Sequence, residues 1–189
     1  MKPGRCSTPT SSVSPAWSNA VLPGMRARRD GLIVNLGSMA PYVPIPFHGY
    51  LSASKAAVNT YSDTLRMDLK GLGIAVTTVE PGFVATHQGE RFDALKVGRS
   101  IEDYACAERR ATAVFEQGQR AGGNPQAVAA VIMRIIRTNK PARHYLVGKE
   151  RAFVQLSRPL PAATVEAFFT RRFSAQREPE MIARQAAVD

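Results

Sequence analysis

Cysteine, aromatic residues and long apolar runs are all scarce in this chain of 189 residues, and each scarcity closes off a class of protein. Cys6 and Cys106 are its only cysteines. Their spacing fits no metal-ligand pattern, and two thiols make no disulfide framework. No apolar run approaches the ~18 residues that a membrane span requires. The N-terminus lacks the continuous apolar core of a secretory signal, so the expected location is cytoplasmic. Glycine-rich turns of the form G-x-x-x-G-x-G or G-x-G-x-x-G occur nowhere, which removes the usual sequence mark of a pyrophosphate cradle. There are no internal repeats.

What is present is an ordinary globular composition, with 44% hydrophobic and 21% charged residues. The length suits one domain with a real core. The net charge of +10 raises a nucleic-acid reading, so its distribution matters. Residues 1–30 carry +4, residues 31–90 carry −1 and residues 91–189 carry +7. Arg26, Arg28 and Arg29 form one cluster, and Arg171, Arg172, Arg177 and Arg184 spread through the tail. No aromatic platform, zinc pattern or helix-turn-helix signal accompanies them. A solvated basic surface outweighs a specific nucleic-acid site, although weak attraction to polyanions, including phosphorylated cofactors, follows from the charge.

Hydropathy patterning divides the chain into a Ser/Pro/Thr-rich segment at 1–15, expected to be disordered, one domain at 16–175, and a basic tail at 176–189. A short helix is expected at 16–27, with Pro23 against it. Leu32 to Leu36 reads as a strand buried on both faces. The longest helix is predicted from Ser52 to Lys70, with Ala57, Tyr61, Leu65 and Leu69 as its apolar stripe and Gly71 as a left-handed cap. Strand Ile74 to Val79 and a Pro81-Gly82 turn follow, and strand, helix and strand in that order predict one right-handed crossover of a parallel sheet. Helices at 101–119 and from Pro125 onward, then a strand at His144 to Val147 closed by Gly148, complete an α/β pattern. His48 and His87 have no metal partner in the pattern and read as surface residues.

Three segments carry chemistry. Gly31-Leu32-Ile33-Val34-Asn35-Leu36-Gly37-Ser38 resembles the strand that delivers the catalytic serine in the classical short-chain dehydrogenase/reductase family. Ser52-Ala53-Ser54-Lys55-Ala56-Ala57-Val58 is similar to the body of that family's active-site helix. Pro81-Gly82-Phe83-Val84-Ala85-Thr86 resembles its nicotinamide loop. Arg143-His144-Tyr145-Leu146-Val147-Gly148-Lys149 resembles, more weakly, the C-terminal strand of a branch handling apolar alcohols and ketones.

The resemblance implies a partial Rossmann-like parallel sheet with flanking helices, lacking the N-terminal nucleotide-binding strands. It implies hydride transfer between NAD or NADP and a small apolar alcohol or ketone. Ser38 would polarise the substrate oxygen, and a tyrosine would transfer the proton. Lys55 would bind the cofactor ribose and perturb that tyrosine, while Pro81, Gly82, Val84 and Thr86 would hold the nicotinamide. The bland alternatives are a strand-end serine, a solvated helix lysine and a plain turn.

The tyrosine is out of register. In the family it stands four residues before the lysine, whereas Tyr50 stands five before Lys55 and Leu51 occupies the expected place. Counting from Ser38, the family's usual interval also ends on Leu51. Each helical residue advances about 100°, so four residues leave two side chains about 40° apart and five leave them about 140° apart. A free phenol has a pKa of about 10 and needs a nearby cation to serve as general acid and base at neutral pH. Two readings follow: the loop at Gly49 shifts to bring the Tyr50 phenol into the pocket, or Tyr50 packs elsewhere or meets solvent and the activity is impaired. A chain of the second kind would be a non-catalytic remnant, or a dimerisation module pairing through the helix at 52–70 with itself or a full-length relative. The strand at 32–36 would also leave one edge open to association.

Overall fold

The computed structural model describes residues 20–43, 45–86 and 105–174. The expected disordered start, the basic tail, His87 and the first turn of the helix predicted at 101–119 lie outside those residues.

Residues 20–28 form helix α1. Strand β1 (Gly31–Leu36), a 3-10 turn at Ala40–Tyr42, helix α2 (Gly49–Asp68) and strand β2 (Ile74–Pro81) follow. Helices α3 (Ala105–Arg120) and α4 (Pro125–Ile136) lead to β3 (His144–Val147), α5 (Arg151–Ser157) and α6 (Ala162–Ser174). The three strands form a parallel sheet in the order β1-β2-β3, with Gly31 opposite Ile74 and Thr78 opposite His144. Parallel neighbours joined through a helix are the α/β arrangement that the pattern predicts.

Central β2 is the most buried element, with Val76, Thr77, Thr78, Val79 and Glu80 all within the interior. Helix α2 packs on β1 and β2, and α4 packs on β2 and β3. Ile33, Ile74 and Val76 meet Leu65 and Leu69 of α2, and Leu22 and Met25 of α1 close over them. Each such aliphatic side chain removed from water stabilises by about 1.5–3 kcal/mol before entropy is counted. Edge strand β1 departs from the expectation of burial on both faces: Ile33 is buried, but Leu36 is 53% exposed. Among the described residues β1 pairs only with β2, which leaves its other edge open.

Helix α2 begins three residues before the predicted start, at Gly49, and ends at Asp68. Its buried residues are Val58, Asn59, Ser62 and Leu65, and the predicted stripe reaches the core at Tyr61, Leu65 and Leu69 but not at Ala57, which is exposed. A strict four-residue repeat rotates about 40° per step around a 3.6-residue helix, so the predicted stripe leaves the core at its Ala57 end. Ser62 is tolerated inside because it donates to Val58 O at 2.7 Å and accepts from Asn35 Nδ2 at 2.8 Å. After α2, Gly71 and Gly73 take φ of +85° and +74°. Glycine is required at 73, where a Cβ would stand 2.0 Å from Arg29 O. Helix α4 starts as predicted, with Asn124 Oδ1 accepting from Gln126 N at 2.9 Å and Pro125 in the first turn.

A polar network crosses from α2 to β3. Arg143 makes a two-pronged ion pair with Asp63 through Nε and Nη2. His144 Nε2 lies 3.1 Å from Asp63 Oδ1, and its Nδ1 lies 2.7 Å from Glu80 Oε1. Tyr42 donates to Glu80 Oε1 at 3.3 Å. The Arg143 bond and the adjacent imidazole hold the Asp63 carboxyl below its ordinary value of 3.8, whereas burial pushes Glu80 above its ordinary 4.5, opposed by His144.

Folded Asp63 therefore binds protons less readily than unfolded Asp63. Its contribution is full above the unfolded value and disappears as pH falls through the lower folded one. The Asp63→Asn variant is expected to be less stable than the wild type at neutral pH, with the gap closing below pH 3.8. Urea midpoints over a pH series check this; a gap that persists unchanged into acid rules out the ionised carboxylate as its source.

Candidate active site

The C-terminal ends of β1 and β2 open into one cavity of about 460 Å³, within the size range of small-molecule sites. Gly37 N donates to Val79 O and Met39 N to Pro81 O, each at 2.9 Å, so the two strand ends stay in register beyond the sheet. Ser38 is thereby held at the cavity wall. Its Oγ accepts from Ala40 N at 3.0 Å and approaches Pro81 O at 3.4 Å, leaving the hydroxyl loosely committed to the backbone. Lys55 enters from the second turn of α2 and donates from Nζ to Leu36 O at 3.2 Å. Burial pushes its pKa below the ordinary 10.5.

Pro81, Gly82, Val84 and Thr86 all line the same cavity. Their loop is anchored twice. Gly82 N donates to Val147 O, and a short parallel bridge joins Val84 to Gly123, with Ala85 N donating to Gly123 O and Gly123 N to Phe83 O. The Gly82 amide is thus spent on β3 and not free for a ligand. The structure brings together six of the seven residues singled out in the sequence, and Leu51 stands among them.

Tyr50 is the exception. Its side chain is 83% exposed and does not line the cavity. The loop does not shift in the way the first reading of Tyr50 requires. The left-handed residue before α2 is Phe47, at φ 64°, and Gly49 is already helical. With the helix begun at Gly49, consecutive residues must diverge by about 100°, and Leu51 takes the inward direction. No tyrosine lines the cavity among the described residues. Tyr42 is nearby in sequence, but its hydroxyl is turned to Glu80 and Asn59, and burial raises its pKa. His48 is half-buried rather than superficial, stacked on Phe115 with ring centroids 4.4 Å apart.

Several lining residues carried no mark in the sequence. Phe115 and Gln119 come from α3, Ile132 from α4 and Glu150 from the residue preceding α5. Glu150 packs on Gly82, where a Cβ would meet its Oε2 at 2.1 Å.

The family model for short chain dehydrogenase matches residues 13–94, the stretch holding both strand ends and the Lys55 helix. The chain belongs to the short-chain dehydrogenase family. A 3-ketodihydrosphingosine reductase of Bacteroides thetaiotaomicron is 36% identical over 129 residues, which is 68% of this chain and 48% of the relative. A probable short-chain type dehydrogenase/reductase of Helicobacter pylori is 30% identical over 149 residues, 78% of this chain and 55% of the relative. Among solved structures, a short-chain dehydrogenase from Streptomyces avermitilis superposes with a TM-score of 0.62 at 26% identity, covering 89% of this chain and 60% of that one. A serine dehydrogenase complexed with NADP+ gives a TM-score of 0.54 at 26% identity, covering 69% and 49%. This short-chain dehydrogenase chain spans about half the length of the curated relatives it matches.

The dehydrogenase family implies a nicotinamide dinucleotide. Its nicotinamide end fits the residues present: a cavity walled by Ser38 and Lys55 and closed by the Pro81-to-Thr86 loop. Its pyrophosphate has no glycine-rich turn to receive it anywhere in the sequence.

In this dehydrogenase fold Gly37 sets the approach of α2 to the serine strand. A Cβ there would stand 2.3 Å from Asn59 Oδ1 and 2.9 Å from buried Thr78 Cγ2. Gly37→Ala is expected to destabilise by about 1–3 kcal/mol through overpacking, read as a lower urea midpoint with an unchanged slope. An unchanged midpoint means that α2 can retreat at no cost.

Proposed function

We propose that this chain has a short-chain dehydrogenase/reductase site that binds a small apolar alcohol or ketone beside NAD or NADP, and that its hydride-transfer activity is impaired. The observation that carries the reading is the pairing of Ser38 and Lys55 in one cavity with Leu51 where a phenol is needed. The Bacteroides relative is by its name a reductase of a keto compound, and one structural neighbour holds NADP+. Both are in keeping with carbonyl chemistry at such a cavity.

When bound, the nicotinamide would supply or accept the hydride. The chain's own residues bear the remaining work. The Ser38 hydroxyl, only loosely held by Pro81 O, is free to donate to a substrate oxygen as charge develops on it. Lys55 offers an ammonium that its burial makes costly to keep charged and therefore ready to pair with ribose hydroxyls or a phenolate. Proton delivery is the missing step, since Leu51 carries no exchangeable proton and Tyr50 points to water. General acid–base catalysis contributes about 10²–10⁴-fold, which sets the scale of the impairment.

The edge of β1 that pairs with no strand among the described residues favours a second reading, association with another copy or a full-length relative, because such an edge is a template for pairing. The two readings separate in one experiment. Tyr50→Leu combined with Leu51→Tyr is expected to raise NADPH-dependent reduction of an apolar ketone by about 10²-fold or more. If turnover stays at the wild-type level while NADPH still binds, register is not the fault. If NADPH does not bind at all, the catalytic reading fails and association remains.

A further inference from the structure

Away from the cavity, helices α5 and α6 and the turn between them present a group of uncovered apolar side chains. Leu156 is 74%, Leu160 48% and Phe168 52% exposed. They stand together. Phe153 and Leu156 are three positions apart on one side of α5, and the Phe153 ring lies 5.6 Å from the Phe168 ring on α6. Leu160 follows one turn beyond Leu156, between Pro159 and Pro161, its amide donating to Ser157 O at 3.0 Å. The layer beneath is anchored: Val154 and Phe169 are buried, and Phe169 meets Phe153 and Phe168 edge-on at 5.6 and 5.4 Å. Apolar groups gathered on one exposed face mark a contact surface, whereas the same groups scattered singly mark nothing.

The charge on the same two helices says what covers it. Residues 149–172 hold five basic and two acidic side chains, a net +3. Arg171 stands three positions after Phe168 on the same side of α6, and Arg151 is exposed on α5. Neither makes an ion pair among the described residues. Arg158 is turned over the Tyr42 ring, 4.9 Å away, and takes no part. A second copy on this face would set each basic group near its own counterpart, because a two-fold interface pairs a surface with itself. A nucleic acid would meet the charge and leave the leucines without a partner. A bilayer with anionic headgroups satisfies both, by apolar insertion at the headgroup boundary and by attraction of the cations. We propose that the α5–α6 face docks on an anionic lipid surface, with Leu156, Leu160 and Phe168 entering the boundary and Arg151 and Arg171 pairing with lipid phosphates. The contact is a surface one. Helices α5 and α6 have 7 and 13 residues, and no helix among the described residues is long and apolar enough to cross a membrane.

The test uses the full chain and extruded vesicles, of phosphatidylcholine alone or mixed with phosphatidylglycerol, read by co-sedimentation. Wild type is expected to bind the mixed vesicles about tenfold more tightly than the neutral ones, with the difference shrinking as salt rises. Leu156→Ser combined with Leu160→Ser is expected to weaken binding about tenfold, with an unchanged urea midpoint because both side chains are exposed. Arg171→Glu is expected to weaken binding to the mixed vesicles alone by about tenfold. Leu156→Trp is expected to fluoresce in a way that brominated acyl chains quench beyond the wild-type level. Absence of vesicle binding, equal binding to both compositions, or an unquenched Leu156→Trp overturns the proposal. Binding that survives the double leucine change also overturns it, since adsorption by net charge alone would give that result. So does a dimer, seen by sedimentation equilibrium without lipid, that the double leucine change abolishes: the face then belongs to a second copy.

Discussion

The Pro81 carbonyl receives Met39 N at 2.9 Å and faces Ser38 Oγ at 3.4 Å, while the next amide, Gly82 N, donates to Val147 O. Three chain segments far apart in sequence are thus tied at one point, the C-terminal end of β2. The cavity exists because these bonds continue strand pairing just past the sheet, where β1 and β2 would otherwise splay. Ligand sites of open parallel sheets lie at this end for the same reason: the strand ends expose backbone groups and leave a crevice between diverging loops. Helix α2 then needs only to lean on β1 and β2 for Lys55 to reach the same crevice.

Beneath that point the chain buries charge. Glu80 is fully enclosed and immediately precedes Pro81, and it is approached by His144 from β3 and Tyr42 from the 3-10 turn. Asp63 extends the chain of contacts to α2 and, through Arg143, to the surface. Such a network offers less stability than its contacts suggest, because desolvation offsets the attraction. Its structural consequence is directional: it couples the turn carrying Ser38, the loop carrying Gly82 and helix α2 through polar bonds that tolerate little sliding.

Displacing the tyrosine by one position has a disproportionate effect because helical geometry is stiff. Moving Tyr50 inward would require unwinding the first turn of α2, while Leu51 already contributes apolar surface to an apolar cavity. The packing preference and the chemistry therefore pull in opposite directions, and packing prevails. A mainly apolar cavity with the partly buried Lys55 ammonium on its wall remains, better suited to holding a ligand than to moving its protons.

The sequence alone was enough to place the three strands and the α2 and α4 helices, which follow from local periodicity and helix-end signals. The gathering of Ser38, Lys55 and the Pro81-Gly82 loop was implied by the family resemblance of their motifs. The sequence was also enough to put Leu51 in register, since a 100° step per residue is a property of any helix. It left open where Tyr50 would point, and the start of α2 at Gly49 decided that. The exposure of Leu36, the departure of the α2 stripe from the core at Ala57, the pairing of His144 with Glu80 across 64 positions and the arrival of Gln119 and Glu150 at the cavity were decided only by tertiary structure. Those contacts depend on how the chain returns to itself, and no periodicity within a segment encodes which distant side chain it will meet.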